Sequence, residues 1–462
     1  MLRKPTAALL TILTTFSLSV TATAQNEQAL EALLQNVSVD SLMHTVAQLS
    51  GDTTFVLDGK IDSLWTRYTF SPEIYKAQAY LEDRLTRLGY TPSIDEYSAI
   101  GKIAITSPTA LCQGWPPSNQ NPVIAPADAT GKAAFTLHNV IAEKTGTLHP
   151  EDIYIICAHY DSIVWIEGDP SSSYNHAPGA DDNATGTAAV IEAARLLKDE
   201  ELPYTVRFIL FSGEERGLHG SRHYAVEARK RGDNILGVLN VDMIGYHNRN
   251  TSQLNTQIHT GDYNTSNALG QQLADNAESW GLQILPEIMA RSNASWSSDH
   301  SPFWSEGYTA VFVTEDWLRS RNPYYHSDYD QASTLDSAYF EACAQMVIGT
   351  LADLAGLGEL VSVDEPATRP RDFTLGVPYP NPFNPRVTVP WTQARAAQVR
   401  ITVHNILGHT VHVMADGMME SGTHRLHWDG RDAAGLPMPS GVYFVRSLTG
   451  DRQMIRKIVL SK

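Results

Sequence analysis

From residue 140 to residue 357 unbroken apolar runs alternate with longer stretches in which apolar positions recur every three or four residues. The runs VIAEK (140–144), IYIICA (153–158), VRFILFS (206–212), ILGVLNVDM (235–243) and TAVFVT (309–314) have the length and β-branched content of buried strands. Between them, Thr185 to Lys198 is alanine-rich, and Leu218 to Arg229, Ser266 to Trp280 and Ser337 to Leu357 carry helical spacing. Strands without an alternating polar face, separated by helices, predict an α/β domain with a mostly parallel central sheet covered by helices on both faces. Residues 26–90 read as helical: EQALEALLQ has an apolar stripe, and Tyr75, Ala77, Tyr80, Leu81 and Leu85 share a face in a segment that ends at Gly89. Five prolines between 102 and 135 predict a long surface excursion there.

The pattern changes after residue 358. Residues 359–374 contain Asp364, Glu365 and prolines with few apolar positions, and read as a linker. From 375 to 462 short strand-like runs (VRITVHNILG, HRLHWDG, SGVYFVRSLTG, MIRKIVL) are separated by Gly, Pro and Asn, which predicts a small all-β antiparallel sandwich. Its histidines, His404, His409, His412, His424 and His427, read as strand-face or exposed residues. At the other end, Arg3 and Lys4 precede an apolar stretch from Ala7 to Val20, and Ala22-Thr23-Ala24 forms a small-residue cleavage site: a secretory signal peptide over 1–24. The expected division is therefore signal peptide 1–24, catalytic domain 25–358, linker 359–374 and sandwich 375–462, in a secreted or cell-surface protein without a transmembrane anchor. A formal net charge of -17 argues against a nucleic-acid partner. Three cysteines do not make a disulfide scaffold; Cys157 falls in a buried strand, and Cys112 and Cys343 are free to pair or not.

Chemistry collects just past the strands. His159 follows IYIICA, Glu214 and Glu215 follow VRFILFSG, Asp242 ends LGVLNV, Asp182 lies in the turn PGADDN before a helix, and His326 lies in a polar stretch after TAVFVT. In an open α/β sheet such positions share one rim. A lone DD or HYD is ordinarily a surface feature, but adjacent glutamates at a strand-to-helix corner repel unless a cation is near. Imidazoles with carboxylates suit zinc, with cobalt and manganese as alternatives, and two metals sharing one carboxylate need an aspartate held in a rigid turn, as Gly179-Ala180-Asp181-Asp182-Asn183 provides.

These motifs (HYDS, PGADDN, SGEERG, NVDM and YYH, in this order) resemble the M28-type zinc aminopeptidase family over roughly residues 35–357. The resemblance implies two Zn2+ per chain. His159 and Asp242 would serve one ion, Glu215 and His326 the other, and Asp182 would bridge. Glu214 would be the general base, Asp161 would fix the tautomer of His159, and Tyr325 would donate to the oxyanion. It implies hydrolysis of N-terminal residues from peptides or proteins. A carboxypeptidase or dipeptidase of the same family shares the cage, with Arg291, Arg319 and Arg321 as candidate carboxylate-binding residues, and a non-catalytic surface module is the alternative of another class. The SDH triplet at Ser298–His300 is intact, but the cysteines and tyrosine that precede it in some members are absent; Trp296 stands there instead. YPNPFNP, WDGRDAAG and SGVYF resemble FlgD-type immunoglobulin-like tails and type IX sorting domains, implying export machinery or a cell-surface partner for the C-terminal sandwich.

Overall fold

The computed structural model describes residues 26–102, 132–167, 169, 172–248, 253–261, 263–358, 373–376, 378–393, 396–405, 409–449 and 452–461. The expected signal peptide, most of the expected linker, Cys112 and the greater part of the proline-rich excursion lie outside them. The chain divides into two compact units, one up to Val361 and one from Ser362.

The first unit begins with helices α1 (26–35) and α2 (Val39–Leu49). Ser38 caps α2 by accepting from the Ser41 amide at 3.2 Å. The all-helical reading of 26–90 is corrected here: a short hairpin, β1 (Phe55–Leu57) and β2 (Lys60–Asp62), separates α2 from α3 (Glu73–Arg87). Asp58-Gly59, both with positive φ, make the turn, a signal too short to register in an apolar pattern. The remaining strands are β3 (Ser93–Lys102), β4 (Lys132–Lys144), β5 (His149–His159), β6 (Tyr204–Phe211), β7 (Asn234–Val241), β8 (Asn255–Gly261), β9 (Leu285–Ala290) and β10 (Ala310–Glu315). They form one sheet in the order β3-β4-β6-β5-β7-β10-β8-β9.

The four central strands β6-β5-β7-β10 are mutually parallel, whereas β3, β4 and the β10–β8 pairing add antiparallel edges. The strands β3, β8 and β9, and the start of β4, lack a continuous apolar run. The edge strands β3 and β9 mix polar and apolar residues, and β8, buried almost throughout, is built mainly of polar ones (NTQIHTG), so the apolar runs of the central strands do not extend to them. Helices α5 (Gly186–Leu197), α7 (Asn264–Ser279) and α9 (Ser337–Leu354) join α1–α3 in packing on one face, through Ala189, Leu273, Val347 and Leu351. Helices α6 (His219–Arg231) and α8 (His300–Ser305) cover the other with Tyr224, Ala228, Phe303 and Trp304; α4 (Ser172–Asn175) is a single turn. Cys157 and Cys343 are buried free thiols.

The second unit is all antiparallel. One sheet contains β11 (Phe373–Leu375), β12 (Val387–Gln393) and β15 (Gly422–Trp428); the other runs β14 (Thr410–Met419), β13 (Ala397–Asn405), β16 (Gly441–Thr449) and β17 (Arg452–Leu460). Leu375, Val389, Trp391, Ile401, Trp428, Val445 and Ile458 fill its core, and the Trp428 indole donates to the Arg431 carbonyl at 2.7 Å.

The sheet buries two histidines that serve packing. The rings of His259 and His300 each stack on Phe312, at centroid distances of 5.0 and 4.9 Å. The Ser295 amide donates to His259 Nδ1, and the Ser295 carbonyl accepts from His300 Nε2. Burial lowers His259 to about 4 and His300 to about 3. Both values lie below the unfolded value of about 6.5, so the stability they supply is complete above that pH and is lost as the pH falls toward the folded values. Thermal melts of chelator-treated protein between pH 7 and pH 4.5 should show the midpoint falling, and His300→Phe should flatten the slope; an unchanged slope would refute the assignment.

Candidate metal centre

Register brings the motifs to one edge. His159 is level with Phe211 across β5 and β6, and Cys157 with Asn240 across β5 and β7. His159, the SGEE corner and Asp242 therefore leave three adjacent parallel strands side by side. The fourth ligand turn arrives from between β5 and α5. Gly179 begins it in the left-handed region at φ 50°, where a Cβ would sit 2.3 Å from the Asp182 carbonyl oxygen, so only glycine closes the turn. The Asn183 side chain holds its far end, donating to the Val241 carbonyl at 2.9 Å and accepting from the Gly186 amide at 2.8 Å.

Within this frame the two oxygens of Asp182 face different imidazoles. Oδ1 lies 3.3 Å from His159 Nε2, and Oδ2 lies 3.1 Å from His326 Nε2. Asp242 Oδ1 is 3.4 Å from His159 Nε2, and Glu215 Oε2 is 3.1 Å from His326 Nε2. His159, Glu214 and Asp242 form one group spaced to hold a metal, and His159, Asp182 and Glu215 a second. Glu215 Oε1, Asp242 Oδ1 and His326 Nε2 are buried and make no hydrogen bond among the described residues. Buried polar atoms without partners, aimed at a common point, are what a bound cation satisfies. All five ligand candidates read from the sequence thus come together, and the residues fit a pair of divalent ions.

Asp161 lies beneath them, fully buried. Its carboxylate accepts from Thr69 Oγ1 and from the Glu214 and Glu215 amides at 3.2 and 3.4 Å, so it holds the glutamate corner in place. His159 Nδ1 donates to the Asp161 backbone carbonyl at 3.1 Å, closer than the carboxylate oxygen at 3.6 Å. That bond leaves Nε2 as the lone-pair nitrogen facing Asp182 and Asp242. Ser298 of the SDH triplet donates to Asp242 Oδ2 at 2.6 Å and accepts from Asn240 Nδ2 at 2.8 Å, orienting that carboxylate. Tyr325 stacks on His326 with ring centroids 3.7 Å apart, and its hydroxyl has no partner among the described residues. Trp165, 77% exposed, opens the run after His159 and donates its backbone N–H to the His326 carbonyl at 2.8 Å. Trp296 is half-exposed and meets Trp304 edge-on, covering α8.

Charge sets the behaviour of the cluster. Burial pushes Glu214 well above the usual carboxylate range against the pull of His159, and pushes Glu215 to about 7 with Asp182 adding to the rise. Burial alone would depress His159, but Asp242 and Glu214 hold it well above its ordinary value; likewise Glu215 and Asp182 raise His326 to about 10. Burial would raise Asp182 too, but its two imidazoles hold it below the usual range. This excess of negative charge is the imbalance that divalent cations relieve.

Two residues that the sequence reading did not single out, Arg67 and Asp330, and the aspartate of the SDH triplet complete the surroundings. Arg67, fully buried, donates from Nη1 to the Leu49 carbonyl at 2.6 Å and the Pro178 carbonyl at 2.5 Å. Its Nη2 reaches the Gly179 carbonyl and its Nε the Tyr160 carbonyl, both at 2.8 Å. Burial lowers its guanidinium to about 10, while the charges of Asp330, Asp161, Asp182 and Glu215 favour the cation. Asp330 clamps the same turn by accepting from the Asp181 and Asp182 amides at 3.0 and 3.1 Å. Asp299 is fully buried beside His159, and burial lifts it to about 7. Arg67, a cation inside the aromatic run TRYTF, and Asp299, the centre of the SDH triplet, carried a local signal; Asp330 carried none.

Residues 139–351 match the model of Peptidase family M28, and residues 386–448 match the FlgD Ig-like domain. The chain carries a peptidase family M28 domain followed by a FlgD-like immunoglobulin-like domain. A probable leucine aminopeptidase of Arthroderma otae is 30% identical over 227 residues, which are 48% of this chain and 58% of that relative, so this chain spans less than two thirds of its length. The LapA aminopeptidase of Legionella pneumophila superposes with a TM-score of 0.51 at 19% identity, covering 71% of this chain and 75% of that one. A glutaminyl cyclase of Fimbriiglobus ruber superposes with a TM-score of 0.50 at 18% identity over 68% of this chain and 95% of that one. One fold therefore hosts two chemistries, and the activity has to be argued from the site. No helix among the described residues is long and apolar enough to cross a membrane.

Replacing Arg67 by Met removes the fork that ties four backbone carbonyls under the bridging turn. We expect Arg67→Met to lower stability by about 3 kcal/mol and to weaken zinc binding at least tenfold in chelator competition, with Arg67→Lys intermediate. Unchanged zinc affinity in both variants would exclude a role for the fork in the site.

Proposed function

We propose that this chain is an exported di-zinc aminopeptidase. The observation that carries this reading is the divided carboxylate of Asp182, one oxygen at 3.3 Å from His159 and the other at 3.1 Å from His326. His159 and Asp242 would hold one ion, Glu215 and His326 the other, with Asp182 shared. When bound, such a pair supplies Lewis acidity that makes water a competent nucleophile near neutral pH and polarises the scissile carbonyl.

The protein side of the reaction follows from placement. Glu214, next to the ligand Glu215 and held by Asp161 through its amide, takes the proton of the attacking water. It returns that proton to the leaving amine nitrogen, so the base of the first step is the acid of the second. The Tyr325 hydroxyl, otherwise unpartnered, donates to the oxyanion of the tetrahedral intermediate. Glu214 and the remaining carboxylates attract a substrate's free α-amino group, which favours attack at the first peptide bond, and exposed Trp165 suits an apolar neighbour. The apolar and peptide-like character of the expected substrates agrees with what the names of the relatives state of those proteins.

Export rests on the apolar segment Ala7–Val20 with its small-residue site before Gln25, and on the FlgD-like domain, whose partner would be export machinery or a cell-surface component. The division expected from the sequence, with catalytic residues in 25–358 and none in 375–462, belongs to the same proposal.

Glu214→Gln should keep two zinc ions per chain by elemental analysis while turnover of aminoacyl amides falls by roughly 10²–10⁴-fold; full activity with both metals present would rule out Glu214 as the base. The same assay with N-acylated amides tests direction, since an aminopeptidase spares them.

A further inference from the structure

The loop that delivers His326 also carries two arginines, Arg319 and Arg321, and they differ in one respect. Arg319 is occupied: Nη1 lies 2.8 Å from Glu287 and 2.9 Å from Asp316. Arg321, two residues on, has no carboxylate partner among the described residues. Its guanidinium lies over two rings instead, 4.7 Å from the Trp317 centroid and 5.1 Å from that of Tyr325. Trp317 meets Tyr325 edge-on at 5.0 Å, and Tyr325 stacks on the ligand His326 at 3.7 Å. The backbone supports this arrangement, with the Asn322 amide donating to buried Glu315 at 2.8 Å and the Asn322 side chain to Asp181 at 3.0 Å. An unpaired cation is thus fixed one aromatic ring away from the metal ligands of a chain whose net charge is -17.

A guanidinium resting on ring faces loses rotational freedom while keeping its N–H edge for a bidentate acceptor, and a planar carboxylate is the acceptor that fits it. Each residue of an extended peptide advances about 3.5 Å, so the gap across Tyr325 corresponds to one or two residues beyond the reacting carbonyl. We propose that Arg321 binds a substrate carboxylate, and that the preferred substrates are di- and tripeptides with a free C-terminus and an apolar first residue. The inference rests on the aminopeptidase reading for the direction of cleavage. It adds that the enzyme recognises both ends of a short peptide, the amine among the carboxylates and the carboxylate at Arg321.

The test compares leucylglycine and leucylglycylglycine with their C-terminal amides, using the zinc-loaded full chain. The acids should exceed the amides at least tenfold in kcat/KM, with the difference mainly in KM. Arg321→Met should bring the ratio within twofold of unity and Arg321→Lys should restore part of it. Equal rates for acid and amide in the natural protein, or an unchanged ratio in Arg321→Met, would overturn the proposal. So would a ratio that collapses in Arg216→Met instead, since Arg216 lies over Tyr68 and Phe70 beside Glu215. Calorimetric titration of Glu214→Gln with the same acids and amides reads the preference without turnover. Cleavage of N-acetyl-leucylglycine as fast as leucylglycine would defeat the free-amine reading alone, because the acid-to-amide ratio is measured separately.

Discussion

Everything at the sheet edge depends on neutralising buried negative charge. Asp161, Asp181, Asp182, Asp242 and Asp299 are all nearly or fully buried within one cluster, joined by Glu215 and Asp330. Isolated carboxylates do not survive such burial; they take up protons or demand cations. The protein supplies one permanent cation from below, Arg67, and two imidazoles from the side. The remaining deficit sits where Glu215, Asp242 and His326 point unpartnered atoms inward. A cage so arranged is stable when cations complete it, which links the integrity of the fold to its chemistry.

The scaffold answers this demand with backbone rather than with salt bridges. Amides of Asp181 and Asp182 converge on Asp330, those of Glu214 and Glu215 on Asp161, and that of Gly245 on Asp181 at 2.8 Å. Such donors are fixed by strand and turn geometry and need no side-chain ordering. Their effect is to fix the backbone of Asp182, Glu214 and Glu215 through carboxylates that lie behind them, leaving the side chains of these three free to face the cluster.

How far this was legible in the sequence follows from the same physics. The central strands β5, β6, β7 and β10 are buried on both faces, so their continuous apolar runs announced them, and the polar residues just past them announced the site. The strands β3 and β9 lie at the edges with mixed faces, and β8 is buried almost throughout but built mainly of polar residues (NTQIHTG), so all three were silent. The hairpin β1–β2 was lost inside a helical reading because three-residue strands have no period to detect. His159, Glu215 and Asp242 stood out as polar residues directly after apolar runs, whereas Asp182 and His326, in a turn and a polar stretch, were picked out by the order of the motifs. Arg67 and Asp330 were not readable, since a residue whose work is to bond backbone in space leaves no spacing in the chain; Asp299 was visible as the centre of the SDH triplet, but its burial beside His159 was not. For Asp161 the sequence named the residue, while the geometry moves the closest contact with His159 from its carboxylate to its carbonyl and gives the carboxylate the amides of the glutamate corner.

Arg67 and Thr69 lie well before residue 139, where the match to the peptidase family begins. Arg67 reaches from the segment after α2 into the bridging turn, and Thr69 reaches Asp161. The segment between α2 and α3 is therefore not a preface to the catalytic unit: the smallest fragment that could assemble this centre is set by those two contacts and must reach back well before residue 139.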